Sequence, residues 1–105
     1  MNLRIEDRSR VSLHGIYRLQ NGGGERGALI VDLSAKGCRL LDRLHPLPVG
    51  AELTLTFGHL NPFAAKVCWQ EGSFYGIEFL RPLHAMVLDH LTRTAADLRT
   101  GRRPR

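Results

Sequence analysis

Apolar residues alternate along most of this chain. In residues 11–19, Val11, Leu13, Tyr17 and Leu19 recur at every second position, with Gly15 among them. That period suits a strand with one buried face. Residues 26–33, with the run Ala28-Leu29-Ile30-Val31, predict a second strand, and residues 37–43 a third. Residues 51–57 alternate cleanly, with Leu53, Leu55 and Phe57 on one face and Glu52, Thr54 and Thr56 on the other. Residues 63–69 repeat the pattern, Phe63, Ala65, Val67 and Trp69 against Ala64, Lys66 and Cys68. Residues 74–80 form a sixth strand interrupted by Gly76. Between these runs lie turn signals: three consecutive glycines, Gly22 to Gly24, and the stretch His45-Pro46-Leu47-Pro48-Val49-Gly50. Six short strands so spaced predict a small barrel or sandwich.

The last third changes period. Leu83, Val87, Leu91, Ala95 and Leu98 are spaced by four, four, four and three, an apolar stripe that belongs to a helix. Pro82 suits a first helical turn, Asp89 and Arg93 form an acid-first i,i+4 pair, and Gly101 is a stop signal. A helix over about 82–98 that plugs one end of the barrel is the expectation.

At 105 residues and 43% apolar content, the chain is one small domain and not a disordered one. No apolar stretch approaches the ~20 residues of a membrane span. Residues 1–10 hold no apolar core of a secretory signal. Cys38 and Cys68 form no close pair, which fits two small buried side chains in a reduced cytoplasm. A cytoplasmic protein is therefore expected.

Charge adds a second layer. The formal net charge is +5, and 13 of the 15 cations are arginine, the side chain suited to bidentate contact with phosphate and to stacking on rings. The excess sits at the ends. Residues 1–10 carry net +1, residues 99–105 net +4, and the body between them is neutral. The expected organisation is a flexible arginine-bearing arm (1–10), a barrel with its helix (11–98) and a basic disordered tail (99–105).

Catalytic motifs are missing. There is no GxSxG, HExxH, P-loop or GxGxxG, and the five histidines lack metal-ligand spacing. No enzyme, cofactor or metal is expected, and the glycine run reads as a hairpin loop.

Two segments carry candidate chemistry. Asp32-Leu33-Ser34-Ala35-Lys36-Gly37 closes the second strand. Asp32 and Ser34 leave one strand face together. A carboxylate accepts the adjacent N1–H and N2–H₂ donors of a guanine edge, and a hydroxyl beside it donates or accepts. Gly37 lets backbone or ligand approach closely. The alternative is a Ser or Asx turn between two strands. The other segment holds Arg4, Arg8 and Arg10, whose guanidiniums suit phosphates or purine faces. Its alternative is a solvated terminus.

In this order the two segments resemble the PilZ domain family. An arginine arm, a strand, DxSxxG, further strands and a closing helix span about residues 6–91. Gly37-Cys38-Arg39-Leu40, Leu47-Pro48-Val49-Gly50 and Gly76-Ile77-Glu78-Phe79 carry the likeness further. The resemblance implies a mainly β fold, a six-stranded antiparallel PilZ-type barrel with one C-terminal α-helix. It also implies a receptor for the bacterial second messenger cyclic di-GMP. An RxxxR arm would bind phosphates and stack on guanine, while Asp32, Ser34 and Gly37 would form the DxSxxG site. Three placements of the arm stay open. Arg10 takes the second arginine position with Glu6 in the first, or Arg4-x-x-x-Arg8 supplies the pair, or Arg8 replaces the cation that Glu6 lacks.

The expectation is a cyclic di-GMP effector that orders its arm and so reshapes a surface offered to a protein partner. The alternative is a degenerate PilZ adaptor that binds a protein without nucleotide. Nucleic acid is not an expected partner. The strands show no exposed aromatic ladder, and Phe57, Phe63 and Trp69 are expected in the core.

Overall fold

A computed structural model describes residues 9–57, 60 and 62–99; for residues 9, 10 and 94–99 it describes the backbone alone. Six strands precede one helix: β1 (Ser9–Leu19), β2 (Glu25–Leu33), β3 (Gly37–Leu41), β4 (Glu52–Phe57), β5 (Phe63–Glu71), β6 (Phe74–Phe79) and α1 (Ala85–Arg99). The strands close into an antiparallel barrel in the order β1-β2-β3-β6-β5-β4, with β1 pairing β4 to complete the ring. Closure removes both sheet edges. The six strands and the C-terminal helix are those expected from the periodicity, and closure into a barrel, not a sandwich, is the form that the resemblance implied.

The alternating residues face inward as their pattern requires. Tyr17, Ile30, Leu33, Leu40, Leu53, Leu55 and Ile77 are fully buried. Truncating one of these leucines to alanine costs about 2–5 kcal/mol. The two ends close differently. At one end Leu47, on the β3–β4 loop, plugs the barrel, and its N–H donates to the Tyr75 hydroxyl at 3.3 Å. At the other end α1 packs on β1, burying Leu91, with Leu83, Val87 and Leu88 half-buried against the core. The side chains of Ala95 and Leu98, the end of the predicted stripe, lie outside the described residues.

Several boundaries differ from the sequence expectation, each for a local reason. β1 begins at Ser9, so Arg10 stands on the strand ladder and not on the arm. β3 stops at Leu41 because Asp42 turns the chain. Its Oδ1 accepts the N–H groups of Leu44 and His45 at 2.9 and 3.1 Å. Pro82 precedes the helix by three residues. His84 caps the helix instead, its Nδ1 accepting the Met86 N–H at 3.1 Å. The helix runs to Arg99, the first residue of the expected tail; residues 100–105 lie outside the described residues.

Among the described residues the pairing register shifts between Arg10 and Leu13 in β1, Ile30 and Asp32 in β2, and Val67 and Trp69 in β5. Such a bulge turns the residues beyond it to the other face. Trp69 is therefore not a core residue. It is half-buried on the outer face, opposite Gly76, where a Cβ would lie 2.1 Å from the indole Nε1. Phe57 and Phe63 do pack together, ring edge to face, with centroids 5.4 Å apart.

Candidate functional site

The Asp32–Gly37 segment lies at the end of the barrel closed by the helix. Ser34 organises its turn. The Ser34 hydroxyl accepts the N–H groups of Lys36 and Gly37, each at 3.3 Å, and donates to the Gly37 carbonyl at 3.2 Å. A backbone bond from Ser34 N to Gly37 O, at 2.9 Å, completes it. The serine turn, one of the two readings of this motif, is thus present. Ser34 is buried, and its hydroxyl is engaged within the chain.

Gly37 is required by β6. A Cβ there would lie 2.1 Å from the Ile77 carbonyl oxygen, so the residue serves close strand approach and not an open rim. The same turn holds the chain that follows the barrel. Phe79 N donates to Lys36 O at 2.9 Å and Leu83 N to Ala35 O at 2.7 Å.

Asp32 stands on the outer face at the β2 bulge, with its side chain only 7% exposed. Its Oδ2 lies 2.8 Å from Nε of Arg39 on β3. The Nε–H is not aligned along this line, so the contact is an ion pair. Arg39 also stacks on Phe74, with its guanidinium carbon 4.8 Å from the ring centroid. That cation–π contact holds the fork in place.

The strand register extends the arrangement. Arg10 of β1 pairs with Asp32 of β2, Asp32 with Arg39 of β3, Arg39 with Gly76 of β6, and Gly76 with Trp69 of β5. One row across five strands therefore carries an arginine position on either side of a buried carboxylate, and an indole two strands further on. Of Arg10 the register position alone is described. Arg4, Glu6 and Arg8 lie outside the described residues. Arg39, Phe74 and Trp69 were not among the sequence candidates. Arg39 stood within the Gly37-Cys38-Arg39-Leu40 stretch, alternating with the inward Cys38 and Leu40, with no role of its own.

A sequence model of the PilZ domain matches residues 2–95. The chain belongs to the PilZ domain family. PilZ domains are a known cyclic di-GMP-binding family that bind and adapt and do not catalyse. A crystal structure of an uncharacterized Legionella protein is also similar, with 17% identity, a TM-score of 0.48, and coverage of 90% of this chain and 95% of that one. No curated protein matches the sequence.

A second polar cluster sits at the far end of this PilZ barrel. The buried Tyr17 hydroxyl donates to Asp42 Oδ2 at 2.5 Å, and His45 Nδ1 lies 3.3 Å from the same oxygen. Burial and the Asp42 bond push the Tyr17 phenol above its ordinary value. At Asp42 burial opposes ionisation, but hydrogen bonds from Tyr17, Leu44 and His45 outweigh it and hold the carboxyl below its ordinary value. The cluster ties β1 to the β3–β4 loop and closes that end of the barrel.

The cysteines are both free thiols. Cys38 is buried, but Cys68 is exposed, contrary to the expectation of two buried side chains. Cys68 lies at the β5 bulge, its sulfur 3.6 Å from Glu78 Oε1. Burial raises both thiols above their ordinary value, helped by Asp32 at Cys38 and by Glu78 at Cys68. Among the described residues no three His, Cys, Asp or Glu side chains form a metal-binding group. Among them, too, no helix is long and apolar enough to cross a membrane.

Proposed function

We propose that this protein is a cyclic di-GMP receptor whose ligand lies on the outer face of β1, β2 and β3, beside the Ser34–Gly37 turn. One observation carries the reading: the register places Arg10 and Arg39 on either side of the buried Asp32 carboxylate. The ligand has two phosphates and two guanine rings. Asp32 accepts N1–H and N2–H₂ of one guanine edge. A carboxylate offers about four lone-pair sites, enough to keep the Arg39 contact as well. Arg10, with Arg4 and Arg8, meets phosphates and stacks on a ring. Ser34 and Gly37 act through the turn, which fixes where Asp32 stands. No metal or other cofactor takes part.

Ligand binding sets the position of residues 1–8 against the barrel. That changes the surface offered to a protein partner. Isothermal titration with cyclic di-GMP tests the reading: no heat and no shift in melting would end it. An Arg10→Ala protein that binds as the parent does would place the arm elsewhere.

Glu6, four residues before Arg10, favours a second reading, a PilZ adaptor without nucleotide. Its carboxylate would repel a phosphate. If Glu6→Arg creates cyclic di-GMP binding that the parent lacks, the adaptor reading holds.

A further inference from the structure

The chain between β6 and α1 leaves a groove of ≈ 430 Å³ at the helix-closed end of the barrel. Leu60, Phe63, Leu83 and Val87 form its walls. Leu80 also lines it, yet Leu80 is 74% exposed, and Met86 on the first turn of α1 is 75% exposed. The apolar surface thus continues out of the concavity onto the neighbouring surface. A small ligand is mostly enclosed by its pocket, so it would leave these two side chains uncovered.

Among the described residues, the charge that lines the groove itself has one sign. Arg81 lines it, and no acidic side chain does so among the described residues. His84 also lines it, and its Nδ1 accepts the Met86 N–H as the helix cap. The first turn of α1 contains no acidic residue, so the positive end of the helix dipole is not offset by a side chain there. A second copy of the chain is a poor occupant, because an isologous interface would set this Arg81-bearing, acid-free groove against its own copy.

The geometry points to a docking groove for an acidic amphipathic segment of a partner protein, with apolar anchors seated on Leu60, Phe63, Leu80 and Val87 and carboxylates toward Arg81 and the start of α1. Recognition of this kind uses anchors at i, i+3 or i+4, and i+7. The groove wall is also joined to the Asp32–Gly37 segment through the Leu83–Ala35 and Phe79–Lys36 hydrogen bonds. Only this link to a nucleotide rests on the cyclic di-GMP reading; the groove's chemistry does not.

The test is selection of peptides from a random display library on the intact protein, followed by fluorescence anisotropy with the enriched peptides. The expected peptides carry Leu, Ile, Phe or Met at helical spacing, flanked by Asp or Glu. Leu80→Asp and Arg81→Glu alter exposed side chains, so the fold should persist, as thermal melting will show. Leu80→Asp should weaken the peptides at least about tenfold, and Arg81→Glu should turn the selection toward Lys and Arg. Enrichment of basic peptides on the parent, or of peptides indifferent to both substitutions, would overturn the proposal. So would a concentration-dependent dimer abolished by Leu80→Asp. Titration of cyclic di-GMP into the Leu80→Asp protein should give the parent's heat, so a failed groove and a failed nucleotide site are read separately.

Discussion

Arg39 holds Asp32 in place: its Nε lies 2.8 Å from the carboxylate while its guanidinium stacks on Phe74. The pair sets the orientation of the residue that would read guanine. Arg39→Ala should cost about 1–2 kcal/mol in urea unfolding, because it leaves a nearly buried carboxylate without its counter-ion. The partial exposure of Arg39 keeps the effect below that of a fully buried pair. Calorimetry should show cyclic di-GMP weakened about fivefold or more by Asp32→Ala, a loss of about 1–3 kcal/mol.

Gly37→Ala should destabilise the barrel by about 2 kcal/mol or more, since the new methyl meets the Ile77 carbonyl and backbone must move. Chemical denaturation measures this directly. A neutral outcome would show that β3 and β6 separate easily at this end.

Ser34→Ala removes the oxygen that accepts the Lys36 and Gly37 N–H groups. The expected cost is about 1 kcal/mol. Amide exchange should accelerate at Lys36 and Gly37 with the far end of the barrel unchanged. Unaltered exchange at both amides would contradict the turn's dependence on the hydroxyl.

Asp42 makes stability depend on pH in a defined direction. Its folded carboxyl titrates below the ordinary value of 3.8. As pH falls, the unfolded chain takes up the proton first. The group therefore stabilises the fold above the ordinary value and loses that contribution as pH falls through it toward the folded value. Urea unfolding should show this decline below about pH 4. It should shrink in Asp42→Asn, which also lowers neutral-pH stability by about 1–2 kcal/mol.

The cysteines should react unequally. Burial raises the thiols of both Cys38 and Cys68 above 9.0. A thiol reagent at neutral pH should label exposed Cys68 slowly, faster as pH rises, and Cys38 only on unfolding. Rapid labelling of Cys38 in the native state would contradict its enclosure.

Much of the fold was legible because strands and helices impose different periods on buried positions. Leu53, Leu55 and Phe57 had to share a face, as did Leu83, Val87 and Leu91. The errors have local causes. Trp69 obeyed the alternation in sequence, but a bulge between Val67 and Trp69 carried it to the outer face. Arg43 continued the third run, but Asp42 captured two backbone amides and ended the strand.

The candidate site divides in the same way. DxSxxG and the flanking arginines are local patterns, so the sequence alone determined the PilZ resemblance, the barrel with its helix, and Asp32, Ser34 and Gly37 as candidates. The tertiary structure decided what two of these do. Ser34 shapes a turn, and Gly37 admits the β6 backbone. It also brought Arg39 against Asp32 and Phe74 against Arg39. The physical reason is that ladder register and bulges determine which side chains meet across strands. Both arise from closing the whole barrel, and neither leaves a mark on the spacing of residues within one strand.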